Sequence, residues 1–275
     1  MAKERVIHLI IGDSHAKPGV PNDRFSWLGN MIVDISKKHP EHVIKVIDLG
    51  DFADMPSLSS YDVGKKSFEG KRYKQDVSWA IDARRKLTTP IINYRLSKKQ
   101  SKQRLPKIEL YALGGNHDEG RIKKTIELTA ILDGTISHLD FQTEKFGWKY
   151  TPFLQPLFLD GFCYQHYFTS GVMGRPIGGE HPAYSLLVKQ YDSCVQGHSH
   201  MFDIAHRTKP NGKRVWGIHA GCYLDPEQHE DYAGPANKLW MRGILILYDV
   251  QDGDFNSFSW LNVNDIKAKY GVQLA

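Results

Sequence analysis

Three short, largely apolar runs, residues 6–11, 43–49 and 108–113, each give way to glycine followed by an acid or amide. They read Gly12-Asp13, Gly50-Asp51 and Gly114-Gly115-Asn116 at their ends. Near-continuous apolar runs of this length are what strands buried on both faces require. Polar groups repeated at their C-terminal ends mark the place where open α/β sheets build their sites. A helix is expected over residues 25–38, where Trp27, Ile32 and Ile35 fall at helical spacing ahead of Pro40. A second is expected over 121–132, just after the third run.

From about Lys149 the pattern becomes strand-rich. Residues 157–159 and 162–165 flank Asp160-Gly161, and 204–208 and 213–219 flank Asn211-Gly212; both are hairpin signatures. Residues 243–250 form another apolar strand, paired with 256–263 across Asp252-Gly253, and 182–191 form a helix. The expected architecture is an α/β, α+β sandwich: an αβ half, then a β half, with two packed mixed sheets flanked by helices. A length of 275 residues suits a single domain spanning 1–275.

Residues 55–107 fit neither sheet and read as a basic, partly helical insertion, helical above all over 73–87. Between Gly64 and Lys107 there are fourteen Lys and Arg against Glu69, Asp76 and Asp82, a local balance of +11 within a chain of net charge +5. The remainder is therefore at −6. Phe68, Tyr73, Trp79 and Tyr94 are interleaved with these charges. Such a segment beside a phosphate site would attract polyanions, and its rings would suit base stacking, so nucleic-acid contact through 64–107 is one expectation and a solvated charged face the other.

Several classes drop out. No apolar run reaches the ~18–20 residues of a membrane span. The first run is too short for a signal-peptide core and no small-residue cleavage site follows it. Cys163, Cys194 and Cys222 are odd in number and widely spaced, which disfavours a disulfide framework or structural zinc site and fits a reducing, cytoplasmic setting, the host cytoplasm if the chain is phage-encoded.

Five motifs carry the chemistry: Gly12-Asp13-Ser14-His15, Gly50-Asp51-Phe52-Ala53-Asp54, Gly115-Asn116-His117-Asp118, His166, and Gly197-His198-Ser199-His200. Their ligands are all oxygen or imidazole nitrogen, a set suited to borderline divalent ions. Two ions side by side form a clamp for phosphate-ester hydrolysis. Manganese is the first choice, with iron, nickel, cobalt or zinc behind it. Asp13 and His15 alternate by two and would share one side of an extended strand end, as would His198 and His200. Asp51 has two oxygens and can bridge both ions; Asn116 adds a neutral oxygen and His166 an imidazole to the second. His117 is placed to protonate the leaving oxygen, Asp54 to orient a histidine ring, and Arg121 to bind a phosphate oxygen. Of the other histidines, His8, His138, His181, His206 and His219 are expected to be structural or exposed, His219 being the nearest to the proposed site.

These blocks, in this order over residues 12–200, resemble the signature of the calcineurin-like metallophosphoesterases. The resemblance implies that Asp13, His15, Asp51 and His200 hold one metal, that Asp51, Asn116, His166 and His198 hold the other, and that His117 is the catalytic histidine. It also implies a β-sandwich flanked by helices. Compact bacterial and phage phosphoesterases and DNA-repair exonucleases are similar more loosely. Gly221-Cys222 departs from the Gly-Ser of many relatives, and the basic stretch is longer than the minimal family linker. The expected function is a dinuclear-metal phosphodiesterase, foremost a nuclease on DNA or RNA. The alternatives are a phosphatase, a cyclic- or small-nucleotide phosphodiesterase, or a non-catalytic metal-binding scaffold.

Overall fold

A computed structural model describes residues 4–271; Met1, Ala2 and Lys3 and residues 272–275 lie outside the described span. In chain order the strands are β1 (Val6–Ile11), β2 (Val43–Asp48), β3 (Ile108–Leu113), β4 (Lys149–Thr151), β5 (Leu157–Leu159) and β6 (Phe162–Gln165). There follow β7 (Thr169–Ser170), β8 (Arg175–Pro176), β9 (Cys194–Gln196), β10 (Phe202–Thr208), β11 (Arg214–Ala220), β12 (Gly243–Tyr248) and β13 (Ser257–Asn262). The α-helices are α1 (Asp23–Lys38), α2 (Tyr73–Gln100), α3 (Arg121–Leu128), α4 (Pro182–Gln190) and α5 (Val263–Tyr270).

Two mixed sheets pack face to face, ordered β13-β12-β1-β2-β3-β4 and β10-β11-β9-β6-β5. β1 to β4 run parallel, while β12 lies antiparallel to β1. Strand alternation sorts the side chains of β1 between two cores. Ile7, Leu9 and Ile11 face helices α1, α2 and α5, meeting Leu28, Ile32, Leu87 and Ile266. Ile10 faces the second sheet with Ile47 and Leu113, against Phe162, Tyr164, Val195 and Ile218. His8 shares that inner face, fully buried, with its ring nitrogens 2.5 Å from the Tyr164 hydroxyl and 2.7 Å from Asp160 Oδ2. It ties the two sheets together, in keeping with the structural role expected for it. Helix α4 covers the outside of the second sheet, where Gly217 on β11 leaves room for the Ala183 carbonyl.

The two-sheet sandwich is the architecture expected, but the division of the chain is not. The αβ half and the β half are not separate: β12 and β13 return to the first sheet, beside β1. The reason lies in Gly243-Ile244-Leu245-Ile246-Leu247-Tyr248, which is apolar on both faces. Next to β1 it buries Ile244 and Ile246 under the helices and Leu245 and Leu247 between the sheets.

Helix α2 also runs on to Gln100, thirteen residues past its expected end at Leu87. Pro90 removes one helical N–H, yet the buried stripe Ala83, Leu87 and Ile91 holds the helix against α1 and the first sheet. At Gly29 of α1 a Cβ would come within 2.4 Å of the Leu87 carbonyl and 2.9 Å of the Pro90 ring, so the missing side chain sets how closely the two helices approach. A buried ion pair, Arg84 to Asp48 Oδ2 at 2.7 Å, anchors α2 to the end of β2, with the guanidinium between the rings of Phe52 and Trp148. The expected 121–132 helix stops at Leu128, and a separate tight turn takes Ala130–Leu132. No helix among the described residues is long and apolar enough to cross a membrane.

Candidate metal centre

Each of the five motifs lies just past the C-terminal end of a strand: β1, β2 and β3 in the first sheet, β6 and β9 in the second. The strands stop and the chain turns sharply. His15, Asp51, His198 and His200 all take left-handed backbone, with φ of 43°, 50°, 67° and 58°. The expectation that Asp13/His15 and His198/His200 align by extended alternation is therefore corrected. Single left-handed residues, costly outside glycine, aim these side chains instead. Hydrogen bonds lock the turns. The Asp51 carbonyl accepts from the N–H groups of Ser14 (3.2 Å) and His15 (2.9 Å). Asp118 accepts from the N–H of Gly115 (2.6 Å), Glu119 (2.6 Å) and Phe52 (3.2 Å). Burial, aided by the Asp51 charge, pushes the Asp118 carboxyl up to about 7. It acts as a staple between the second and third motifs.

Around these turns the predicted ligands converge. Asp13, His15 and His200 form one buried group, and Asp51, His166 and the partly buried His198 a second group. His200 Nε2 lies 3.0 Å from Asp13 Oδ2, and His15 Nε2 lies 4.0 Å from the same oxygen. Asp51 Oδ2 faces both groups, 3.6 Å from His15 Nε2 and 3.3 Å from His166 Nε2. Asn116 Oδ1 is 2.7 Å from His166 Nε2. The His166 Nδ1–H donates to the Leu49 carbonyl at 3.0 Å, so this ring turns Nε2 to the centre. Two glycines are required here: a Cβ on Gly115 would sit 2.1 Å from Asp51 Oδ1, and one on Gly197 2.4 Å from Asp13 Oδ1.

The residues present fit divalent cations. His15 Nε2, on the side of Asp13 and Asp51, is buried without a hydrogen-bond partner, the state expected of a ligand turned toward an ion. Carboxylates and imidazoles crowd together out of water. Burial opposes a charge on His166, yet Asp51 and Asp13 outweigh it and raise the imidazole to about 9. His198 goes the other way: burial and the nearby His166 hold it down to about 4. Burial works against ionised Asp51, but His166 and His117 keep it well below the ordinary carboxylate range. The cluster balances its own charge in protons, a balance that cations can replace.

The remaining predicted residues stand beside this centre. His117 Nδ1 lies 2.7 Å from Asp54 Oδ1, and its ring centroid is 4.4 Å from that of His15. Asp54 thus accepts from a histidine ring. Arg121 turns its guanidinium to the same loop: Nη1 donates to the Asp54 carbonyl, to Asp54 Oδ1 at 3.1 Å and to the Met55 carbonyl at 3.3 Å. Its contacts brace Asp54.

Two residues that sequence reading missed complete the set. Lys17 Nζ donates to both Glu230 oxygens at 2.5 and 2.6 Å and lies 3.4 Å from Asp54 Oδ2. Glu230, 5% exposed, brings one oxygen to 4.0 Å from His15 Nδ1, and Asp54 Oδ1 lies 3.9 Å from the same nitrogen. No periodicity or motif marks Glu230 in the sequence; it reaches the centre because the chain returns there after Cys222, whose backbone bridges to Asp13. Glu230→Gln should weaken divalent-metal binding by ~10-fold, because it removes a buried negative charge close to the ligand group. Calorimetric titration with Mn²⁺ checks this, and wild-type affinity would deny Glu230 that part.

His219, the histidine left nearest the site, is buried with Nδ1 2.9 Å from Ser199 Oγ; burial holds it down to about 4. It supports the fifth motif from behind. His138 stacks on Tyr150 and His206 lies over Trp216, both outside the cluster. All three cysteines are buried free thiols.

The basic segment divides in two. Its first part, about 56–72, forms loops beside the centre; its second is α2. Many of its charges are matched locally: Arg84 with Asp48, Arg85 with Asp82, Lys86 with Asp23, Lys71 with Asp62 and Arg104 with Glu41. The rings are also in use. Trp79 Nε1 donates to the Val20 carbonyl at 2.9 Å, the Tyr73 hydroxyl donates to Asp140 at 2.6 Å, and Tyr94 packs on the first core. Lys66, Arg72, Lys74, Lys99 and Lys102 remain exposed. Between the segment and the centre lies a cavity of about 650 Å³ that includes His117, Asp54, Arg121 and Lys17 in its lining.

No protein-family model matches the chain, and no curated protein matches it. Among solved structures, the crystal structure of 5′-nucleotidase from Candida albicans SC5314 is similar at 14% sequence identity and a TM-score of 0.38, over 99% of this chain and 54% of that one. The chain thus spans about half the length of that structure.

Proposed function

We propose that this chain is a metal-dependent phosphodiesterase of the calcineurin-like class, hydrolysing phosphodiester bonds in nucleic acid. One observation supports it above the rest: Asp51 Oδ2 faces two groups of Asp and His ligands at once. Asp13, His15, Asp51 and His200 would hold one divalent cation, and Asp51, Asn116, His166 and His198 the other. Bound cations there supply Lewis-acid stabilisation of the charge that builds on the phosphoryl group and activate water for attack.

The chain's own groups do the rest. Asp54 accepts the Nδ1–H of His117 and so leaves Nε2 as the nitrogen that takes up a proton and passes it to the leaving oxygen. Arg121 and Lys17 hold Asp54 from two sides, keeping the ring aimed. The Leu49 carbonyl holds His166 and the Asp54 carboxylate holds His117, so these two rings need little reorganisation during reaction.

Purified protein with Mn²⁺ should hydrolyse bis-p-nitrophenyl phosphate. On a panel of single- and double-stranded DNA, RNA, cyclic nucleotides and phosphomonoesters it should favour the nucleic acids. Its affinity for strands should fall steeply with salt, as several phosphate contacts require. No turnover with any divalent ion would favour a binding scaffold. The cavity beside His117 supports a second reading, an enzyme of small nucleotides, whose affinity would depend only weakly on salt.

A further inference from the structure

The cavity beside His117 has a lining of two chemical kinds. One part is the edge of the metal centre, with His117, Arg121 and Lys17. The other comes from the loops at 56–72 and the first turn of α2, which the five motifs do not explain. That second part is firmly built. Asp76 is buried and accepts the Ser57 N–H at 2.9 Å, and Asp62 pairs with Lys71 at 2.9 Å. On this pinned wall Tyr61 stands 78% exposed, lining the cavity. A large aromatic side chain left in water at the edge of a polar cavity does little for the fold. It is well suited to a flat partner, since aromatic rings stack on any base. A volume of about 650 Å³ is within the range of small-molecule sites and accommodates a nucleoside with its phosphate.

We infer that this cavity is a nucleoside pocket: the base stacks on Tyr61 while the ester phosphate lies at the His117 end. The inference rests on the hydrolase reading and gives its substrate a shape, one nucleotide held in a pocket next to the bond that is cut. It assigns the start of the basic segment to nucleoside recognition.

Two esters with the same leaving group test it: thymidine 5′-(p-nitrophenyl phosphate) and methyl p-nitrophenyl phosphate. With Mn²⁺ the thymidine ester should be favoured in kcat/KM on the order of 10- to 100-fold. Tyr61→Ala should bring that ratio close to one, and Tyr61→Phe should keep it, because the ring and not the hydroxyl does the stacking. A wild-type ratio near one, or a ratio that Tyr61→Ala leaves intact, overturns the pocket while the hydrolase reading stands. If neither ester is hydrolysed with any divalent ion, the hydrolase reading falls and calorimetry decides the pocket. Thymidine 5′-monophosphate binding at least about tenfold tighter than inorganic phosphate, with Tyr61→Ala closing the gap, supports it; equal affinities overturn it.

Discussion

His117→Ala should lower kcat on a dinucleoside phosphate by ~10²- to 10⁴-fold, the range of a lost general acid, with the metal content unchanged. The geometry dictates both halves of that result. His117 is committed through Nδ1 to Asp54, and it stands beside the ligand groups built on Asp13 and His200 and on His166 and His198. It also falls in a cluster with His15 and Asp51, so a ligand role is the alternative that the metal content excludes. The leaving group gives the sharper reading. A nucleoside alkoxide needs a proton as it departs, whereas p-nitrophenolate does not. The variant should therefore lose far less on bis-p-nitrophenyl phosphate than on the dinucleoside. An equal loss on both substrates would move His117 from proton transfer to binding, and a loss of metal would make it a ligand.

Much of this site was legible in the sequence because its parts are local. Gly12-Asp13, Gly50-Asp51 and Gly115-Asn116 follow apolar runs, and a buried strand that must stop and turn leaves that trace. The seven predicted ligands do meet. What misled was the step from spacing to direction: Asp13-x-His15 looked like strand alternation, whereas left-handed backbone at His15, and again at His198 and His200, aims the rings. Position in the fold was equally hidden. The 243–248 strand was plain from its composition, but only the demand to bury both its faces sends it beside β1. Glu230 and Lys17 carried no signal, because a single part-buried ion pair between residues 213 positions apart is a product of tertiary packing alone. The charge count of the basic segment is legible, but its pairing is not: Asp48, Asp23 and Glu41, all outside the segment, neutralise part of it once the chain is folded.

Asp51→Asn should empty both cation positions, whereas Asp13→Asn should empty one. Asp51 is 1% exposed and its two oxygens have separate duties. Oδ1 accepts the His117 N–H at 2.7 Å and so holds the third motif in place. Oδ2 points between His15 and His166, one from each ligand group. Asparagine keeps the shape and the Oδ1 acceptor, so the turn that seats His117 should survive. It replaces Oδ2 with an NH₂ group, which has no lone pair to offer a cation, and it removes the one charge that both groups share. Asp13, by contrast, turns Oδ2 to His15 and His200, while its Oδ1 accepts the His198 N–H at 2.8 Å, an acceptor that asparagine keeps. Mass spectrometry of metal after gel filtration should read near two Mn²⁺ per wild-type chain, about one for Asp13→Asn and near none for Asp51→Asn. Stability supplies an independent check. Ions bound only by the folded chain at a hundred times their dissociation constant add about 2.7 kcal/mol each. Added Mn²⁺ should therefore raise the melting temperature of wild type most, of Asp13→Asn less and of Asp51→Asn hardly at all. If Asp51→Asn kept both ions, the carboxylate would not be shared, and two neighbouring cations would no longer explain why these ligands are gathered at one end of the sandwich.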